Sequence, residues 1–393
     1  MPRNTGVYIT SSMSGERVRA FVPRPLPPKP PLRLDGELAR RFDEAAAALT
    51  RLDAASDLLP SASVLLYSFV RKEAVLSSEI EGTQSSLADL LLWELEEAPG
   101  VPLSDVEEVS RYVAALEHGV ARVRGGFPLS ARLLREIHAE LMTGAPDAKA
   151  PGEFRRTQNW IGGTRPGNAH FVPPPPDRLA GCLSALEQFL HDKPARTPPL
   201  IKAALAHVQF ETIHPFLDGN GRVGRLLITL ILCVENVLRQ PLLYLSLYFK
   251  QHRAVYYRKL DRVRTDGDWE GWCEFFADGV IETATNAFAT AQRLNELFTE
   301  DRTRITALGA KASRSALAVH GVLEQRPLAS AGHLAGATGL SFPTIAGALA
   351  RLEELGVVRE ITGRKRGRVF AYENYMQMLN EGSSGPRRPG RPE

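Results

Sequence analysis

The sequence predicts a mainly α-helical protein: a helical bundle with one β-hairpin flap, followed by a C-terminal winged helix-turn-helix domain. Three observations predict it. Apolar residues recur at helical spacing from residue 36 to about 297. The rhythm breaks once, at 151–176, where Gly162-Gly163 and Pro166-Gly167-Asn168 supply turn chemistry. Composition then shifts near 300–313, and a short helix, a Gly339 turn and a second helix follow.

Bulk properties set the bounds. At 393 residues the chain exceeds one ordinary compact domain. Hydrophobic residues at 44% and charged residues at 24% describe a globular chain, and a net charge of +3 makes any nucleic-acid surface a local one. Cys182, Cys233 and Cys273 stand far apart without a CxxC, which argues against a disulfide framework or a zinc site and suits a reducing compartment. The opening MPRNTGVYIT has no signal-peptide core, and the longest apolar run, Leu226–Val234, is too short to span a bilayer. The expectation is a cytoplasmic protein with no membrane contact.

In chain order, residues 1–35 read as a proline-rich extended strap, because FVPRPLPPKPPLRL denies backbone donors. Residues 36–110 read as an N-terminal helical region: GELARRFDEAAAALTRLDAAS is rich in helix formers, Gly82 caps the next helix, and Ser85 or Ser86 starts another. Residues 111–297 form the helical core, interrupted by the expected hairpin at 159–172. Residues 313–375 form the helix-turn-helix with a two-stranded wing around GRKRGR, and 376–393 read as a disordered tail.

The densest chemistry lies in HPFLDGNGRVGR, His214 to Arg225, just before the greasiest segment. A glycine turn feeding a helix exposes unpaired N–H groups at the positive end of the helix dipole, a ready anion site. Gly219 and Gly221 admit close approach, and Asn220 tolerates a left-handed conformation and brings an amide. Arg222 and Arg225 share a helical face and match two phosphoryl groups. Asp218 is placed to hold a hard divalent cation, and His214 has a pKa suited to taking a proton near neutrality. A lone GNG is a structural turn; a structural turn has no reason to assemble a histidine, an acid and two arginines. The P-loop lysine–serine pair and GxGxxG are both absent.

These twelve residues resemble the HPFx[D/E]GNGRxxR signature of Fic-domain proteins, most of which transfer AMP from ATP to a Ser, Thr or Tyr hydroxyl of a protein; the likeness extends over roughly 35–290. The resemblance implies His214 as general base, Asp218 as the Mg²⁺ ligand, and an ATP site comprising Asp218, Gly219, Asn220, Gly221, Arg222, Val223, Gly224 and Arg225, bordered by Glu81, Asn168, Ala169, His170, Phe171, Tyr256 and Tyr257. It implies a Phe216 pointing into the core. A kinase-like toxin branch has lysine at the position of Gly219, so glycine there favours adenylyl transfer. The hairpin resembles the family flap, with main chain at Asn168, Ala169, His170 and Phe171 facing a target segment added as a strand. RAVYYRKL resembles the adenine-contacting segment, making Tyr256 and Tyr257 candidates, with ordinary helix packing the alternative.

SSEIEG, residues 77–82, resembles the family's inhibitory (S/T)xxxE(G/N) motif, with Ser77, Glu81 and Gly82 at its defining positions. A glutamate at a helix end over the cleft would pair with Arg225 and occupy the arginine meant for phosphate; a solvated surface glutamate is the plainer alternative. In some relatives the same glutamate supports removal of AMP, so de-adenylylation by the same site stays open.

The wing, Arg359 to Tyr372, carries five basic residues against Glu360, a local charge of about +4 of the kind DNA backbones attract. The alternative use of such a module is protein interaction or homodimerisation. The rival to an autoinhibited enzyme using ATP and Mg²⁺ is therefore a DNA-binding regulator whose Fic-like part senses nucleotide.

Overall fold

The computed structural model describes residues 3–13, 15–55, 57, 62–96, 100–145, 149–364 and 366–381. An antiparallel hairpin comes first, β1 (Gly6–Met13) with β2 (Glu16–Pro23). The helical body then runs through α1 (Gly36–Ala55), α2 (Ala62–Glu81), α3 (Leu87–Trp93), α4 (Leu103–Arg124) and α5 (Ala131–Met142). It continues with α6 (Pro176–Leu190), α7 (Pro199–Ile213), α8 (Asn220–Val234), α9 (Ser246–Gln251), α10 (Arg253–Asp266) and α11 (Trp269–Thr306). The C-terminal region orders α12 (Ala310–Gln325), β3 (Leu328–Ser330), α13 (Ala331–Thr338), α14 (Phe342–Glu354), β4 (Arg359–Glu360), β5 (Val369–Ala371) and α15 (Glu373–Asn380). Its antiparallel sheet has the order β3-β5-β4, and a left-handed Gly339 turns α13 into α14.

Local sequence accounts for many of the boundaries. Ser86 caps α3, accepting from Asp89 N while Asp89 answers to the Ser86 N–H; Ser130 caps α5; prolines open α6 and α7. α7 is buried on every side and lies at the centre, antiparallel in sequence to α8 across a six-residue loop, 214–219. A helix with no solvent face must find partners for His207, Gln209 and Glu211, all buried.

Several expectations need correction. Residues 6–23 are not a strap but a β-hairpin, because alternating Val7, Ile9 and Val18, Ala20 carry a two-residue period that the prolines beyond Pro23 do not touch. The expected hairpin at 159–172 reduces to one bridge, Ile161 with Phe171, around a 3₁₀ turn at Pro166–Asn168. Gly162 and Gly163, at φ 68° and 73°, turn the backbone out of any longer ladder. The division at 110/111 falls inside α4, and the one at 297 inside α11, whose Phe298 and Ile305 stay buried; the break before α12 is only Ala307 to Gly309. Residues 376–380 belong to α15 rather than to a tail, and 382–393 lie outside the described residues.

Candidate functional site

The loop between α7 and α8 is held by backbone-directed side chains. His214 ends α7 in a left-handed conformation, φ 48°, unusual for a residue with a Cβ. Arg155 fixes it there: Nε donates to the His214 carbonyl at 2.9 Å and Nη2 to Pro174 O at 2.5 Å, while its own N–H donates to Pro215 O. Asn159 Nδ2 donates to Phe216 O at 3.0 Å. Phe216 is fully buried and stacks on His138 at 3.8 Å. His138 Nδ1 accepts from Gly152 N, so its other nitrogen carries the hydrogen and donates to Asp218 O at 3.2 Å.

Gly219, not Asn220, takes the left-handed position that starts α8, at φ 74°. Asn220 is already helical and buried, and its amide is consumed by Phe216, accepting from its N–H at 2.8 Å and donating to its carbonyl at 2.9 Å. That leaves backbone, the first-turn N–H groups of α8 that lack helical carbonyl partners, as the part of this turn free to meet an anion. Val223 is core, and Gly224 faces Glu211 and Phe210.

The two arginines diverge. Arg222 pairs with Glu108 on α4 at 2.8 Å and lies 3.6 Å from Asp218. Arg225 is buried and turns to α2, with Nε donating to Ser77 Oγ at 2.8 Å and Nη2 to Ser77 O at 3.0 Å and Glu81 Oε1 at 2.5 Å. Burial opposes ionisation of Glu81, but Arg225, helped by Arg222 and His214, holds its pKa below the ordinary glutamate value. Gly221 has no Cβ because the Glu81 carboxylate occupies that space, and Gly82, at φ 119°, ends α2 directly behind it. Asp218 is mostly exposed and accepts from Gly219 N at 2.6 Å. No cluster of three His, Cys, Asp or Glu side chains able to hold a metal exists among the described residues. Asp218 shares Arg222 with Glu108, and two carboxylates bridged by a guanidinium are too few donors for a resident ion.

Burial, with Arg264 and Arg155 nearby, pulls the His214 imidazole down to about 4, so the ring is neutral at physiological pH. Nδ1 is sealed from solvent beside Glu211, and the fifth of the side chain that solvent reaches lies on the other edge of the ring. A neutral ring presenting Nε2 outward can accept a proton. Tyr256 is buried: its hydroxyl donates to His207 Nε2 at 2.8 Å, because His207 Nδ1 donates to Gly224 O. It packs the core, which leaves exposed Tyr257 as the aromatic able to meet a ligand.

The flap residues separate likewise. Phe171 is buried against Phe21 and exchanges both backbone bonds with Ile161, so its main chain is not free. The Asn168 side chain closes its own turn on Thr164 N and Arg165 N. Ala169 packs on β2, while His170 is exposed, 2.9 Å from Asp261. β2 itself lies alongside: Phe21 N donates to Val172 O at 2.9 Å. Arg155, Asn159, His138, Glu211 and the supporting hairpin carry the site without having been singled out from sequence. The alternation in GVYIT and RVRAFV was the readable signal for the hairpin; the four single residues give none.

Known proteins match along this same frame. Residues 39–121 match the Fic/DOC family N-terminal domain and 128–232 the Fic/DOC family domain. The chain carries both of these Fic/DOC domains, one after the other. The first Fic/DOC segment contains Ser77 to Gly82 and the second contains the whole His214–Arg225 loop, so the Glu81–Arg225 contact joins the two. "Protein adenylyltransferase Fic" of Culex quinquefasciatus is 33% identical over 239 residues, 58% of this chain and 45% of that protein. The Drosophila melanogaster protein of the same name is 30% identical over 207 residues, 52% of this chain and 39% of that one. The chain thus spans less than half the length of these curated relatives. Among solved structures, a Fic family protein from Desulfovibrio desulfuricans G20 superposes with a TM-score of 0.58 at 20% identity, covering 87% of this chain and 97% of that one. A Fic domain containing signaling protein from Bacteroides thetaiotaomicron VPI-5482 superposes at 0.50, also at 20% identity, covering 65% and 97%. These likenesses concern the fold. No helix among the described residues is long and apolar enough to cross a membrane.

Proposed function

We propose that this Fic/DOC protein is an autoinhibited protein adenylyltransferase that moves AMP from ATP to a Ser, Thr or Tyr hydroxyl and releases pyrophosphate. The observation that carries the reading is a neutral imidazole, its inner nitrogen buried, within electrostatic reach of the Glu81 carboxylate that lies against Gly221 at the start of α8. His214 Nε2 takes the proton of the incoming hydroxyl; the oxygen bonds to the α-phosphorus, and the bond to pyrophosphate breaks with its electron pair. The α8 amides hold phosphate oxygens without reorganisation, and Arg225, once free of Glu81, receives the far end of the triphosphate. Mg²⁺, when bound, would neutralise phosphate charge, with Asp218 as its protein ligand. Tyr257 would border the base, and His170 and its neighbours the target segment. Incubation with α-labelled ATP and magnesium tests the reading. The Glu81→Gly protein is expected to label itself and added targets, and the Glu81→Gly/His214→Ala double variant not to. Retained labelling without His214 overturns the reading.

We propose a second role for the C-terminal region, contact with DNA. Supporting it, α14 exposes Phe342, Pro343 and Thr344, and exposed arginines Arg366 and Arg368 flank the following turn. A mobility shift that weakens steeply with salt is expected; binding insensitive to Arg366→Ala and Arg368→Ala would point instead to a protein contact.

A further inference from the structure

Glu211 and His214 form a pair that the adenylyl-transfer scheme does not use. Glu211 lies one turn before His214 on α7, fully inside the protein, and its Oε2 stands 4.0 Å from His214 Nδ1. Glu211 Oε1 and His214 Nδ1 are both buried without a hydrogen-bond partner among the described residues. Buried polar atoms are almost always paired, and both groups within reach of Nδ1, the Oε2 of the carboxyl and the main chain of the same residue, belong to Glu211. Gly224 adds to it: a Cβ there would meet Glu211 Oε1 at 2.5 Å, so α8 keeps the carboxyl's place open.

We propose that Glu211 is the positioning residue of His214: it directs Nδ1–H inward, leaves Nε2 facing the incoming hydroxyl, and balances the imidazolium formed when that hydroxyl's proton arrives. The proposal rests on the adenylyl-transfer reading. In the step, the hydroxyl proton goes to Nε2, the oxygen bonds to phosphorus, and pyrophosphate leaves with the broken bond's electrons. Positive charge then lies on a ring whose other nitrogen abuts a carboxylate, the arrangement that stabilises a histidine base in low-dielectric surroundings. The groups facing Glu211 from the packed elements are His214 at the end of its own helix, Arg225 on α8, Arg264 and Tyr256 on α10 and Glu81 on α2. Burial and the Glu81 charge push the carboxyl up to about 7, against the pull of Arg225 and Arg264. It therefore changes charge where the enzyme works. Its ionised form is the competent one, so activity falls as pH drops through that value.

The test uses the full chain in a Glu81→Gly background, where the limb sits somewhat lower because one carboxylate is gone. There kcat is expected to fall as pH drops below about 7. Glu211→Gln is expected to reduce kcat about tenfold or more with KM for ATP within about twofold, and to flatten that limb; Glu211→Asp, which keeps the charge, retains the limb. A readout without turnover runs beside it. The His214 ring nitrogens, followed by ¹⁵N NMR in the Glu81→Gly protein, are expected to show an inflection near neutrality that is absent in Glu81→Gly/Glu211→Gln. If Glu81→Gly shows no such inflection, or if Glu211→Gln keeps both kcat and its pH limb, the proposal is overturned. A protein that shows the inflection but transfers no AMP would sink the adenylyl-transfer reading and leave the Glu211–His214 coupling standing.

Discussion

The Arg225 guanidinium reaches Glu81 at 2.5 Å and Ser77 Oγ at 2.8 Å, so a single turn of α2 occupies one edge of the arginine completely. A guanidinium engaged in this way cannot fork onto a phosphate. Glu81→Gly removes the carboxylate but leaves Ser77 in place. The expected outcome is a rise of about tenfold or more in label incorporated from α-labelled ATP, with some loss of thermal stability because the buried Arg225 keeps its charge without that partner. Equal labelling by the two proteins would mean that the contact does not restrain the arginine.

Arg155 is expected to be more costly to replace than any residue of the glycine turn itself. It is buried, and its guanidinium answers the carbonyls of His214, Pro174 and Thr157. Burial lowers its pKa only to about 10, so it stays charged at neutral pH. Arg155→Met would leave three acceptors unanswered beside a strained His214, a loss of about 3–5 kcal/mol. A scanning-calorimetry melt should read a large drop in Tm, and labelling should vanish even with Glu81→Gly. Arg155→Lys should not restore it, because one ammonium cannot span three carbonyls in a fixed fork.

What was legible in the sequence was contiguous. His214 to Arg225 is one loop and one helix start, so its anion-facing backbone could be read from glycine placement alone, and Ser77 and Glu81 are four apart on one helix face. What was not legible is dispersed. Arg155 and His138 act through backbone carbonyls and amides far along the chain, and nothing about a lone arginine or histidine announces such a partner. An asparagine beside glycines suits a left-handed turn, whereas here the Asn220 amide ties Phe216 and Gly219 takes the turn. Tyr256 and Tyr257 are neighbours, and only the packing of α10 decides which one faces inward.

His207 makes a prediction about acid. Its Nε2 must accept from Tyr256 while Nδ1 donates to Gly224, so a second proton breaks one of two buried bonds; burial accordingly holds its pKa down to about 3. The unfolded chain binds that proton near 6.5, the folded chain only near 3, so below 6.5 the unfolded state gains protons first and stability falls as pH falls. The contribution lost by pH 4 is roughly 3 kcal/mol. Urea midpoints at a series of pH values from about 7 to 4 check it. His207→Gln, whose amide can donate to Gly224 and accept from Tyr256 without titrating, is expected to flatten the decline.

The helix that carries Glu81 at one end is fastened to the C-terminal region at the other. Ser68 Oγ meets Tyr375 OH at 2.7 Å in a buried contact, Lys72 Nζ donates to Glu381 O at 3.3 Å, and Arg326 lies over the Tyr67 ring. Ser68, Lys72 and Glu81 all ride on α2, a single unbroken helix, so loosening the first two frees the third to tilt from Arg225. Tyr375→Phe leaves the Ser68 hydroxyl buried without a partner, a cost of about 1–2 kcal/mol that should appear as a fall of a few degrees in Tm. Labelling by Tyr375→Phe is expected to exceed that of the parent protein. In a Glu81→Gly background the same substitution should add nothing, since there is no carboxylate left to dislodge. A lowered Tm with unchanged labelling would mean that Lys250, which holds Glu79 at 2.6 Å from α9, is enough to keep the end of α2 in place.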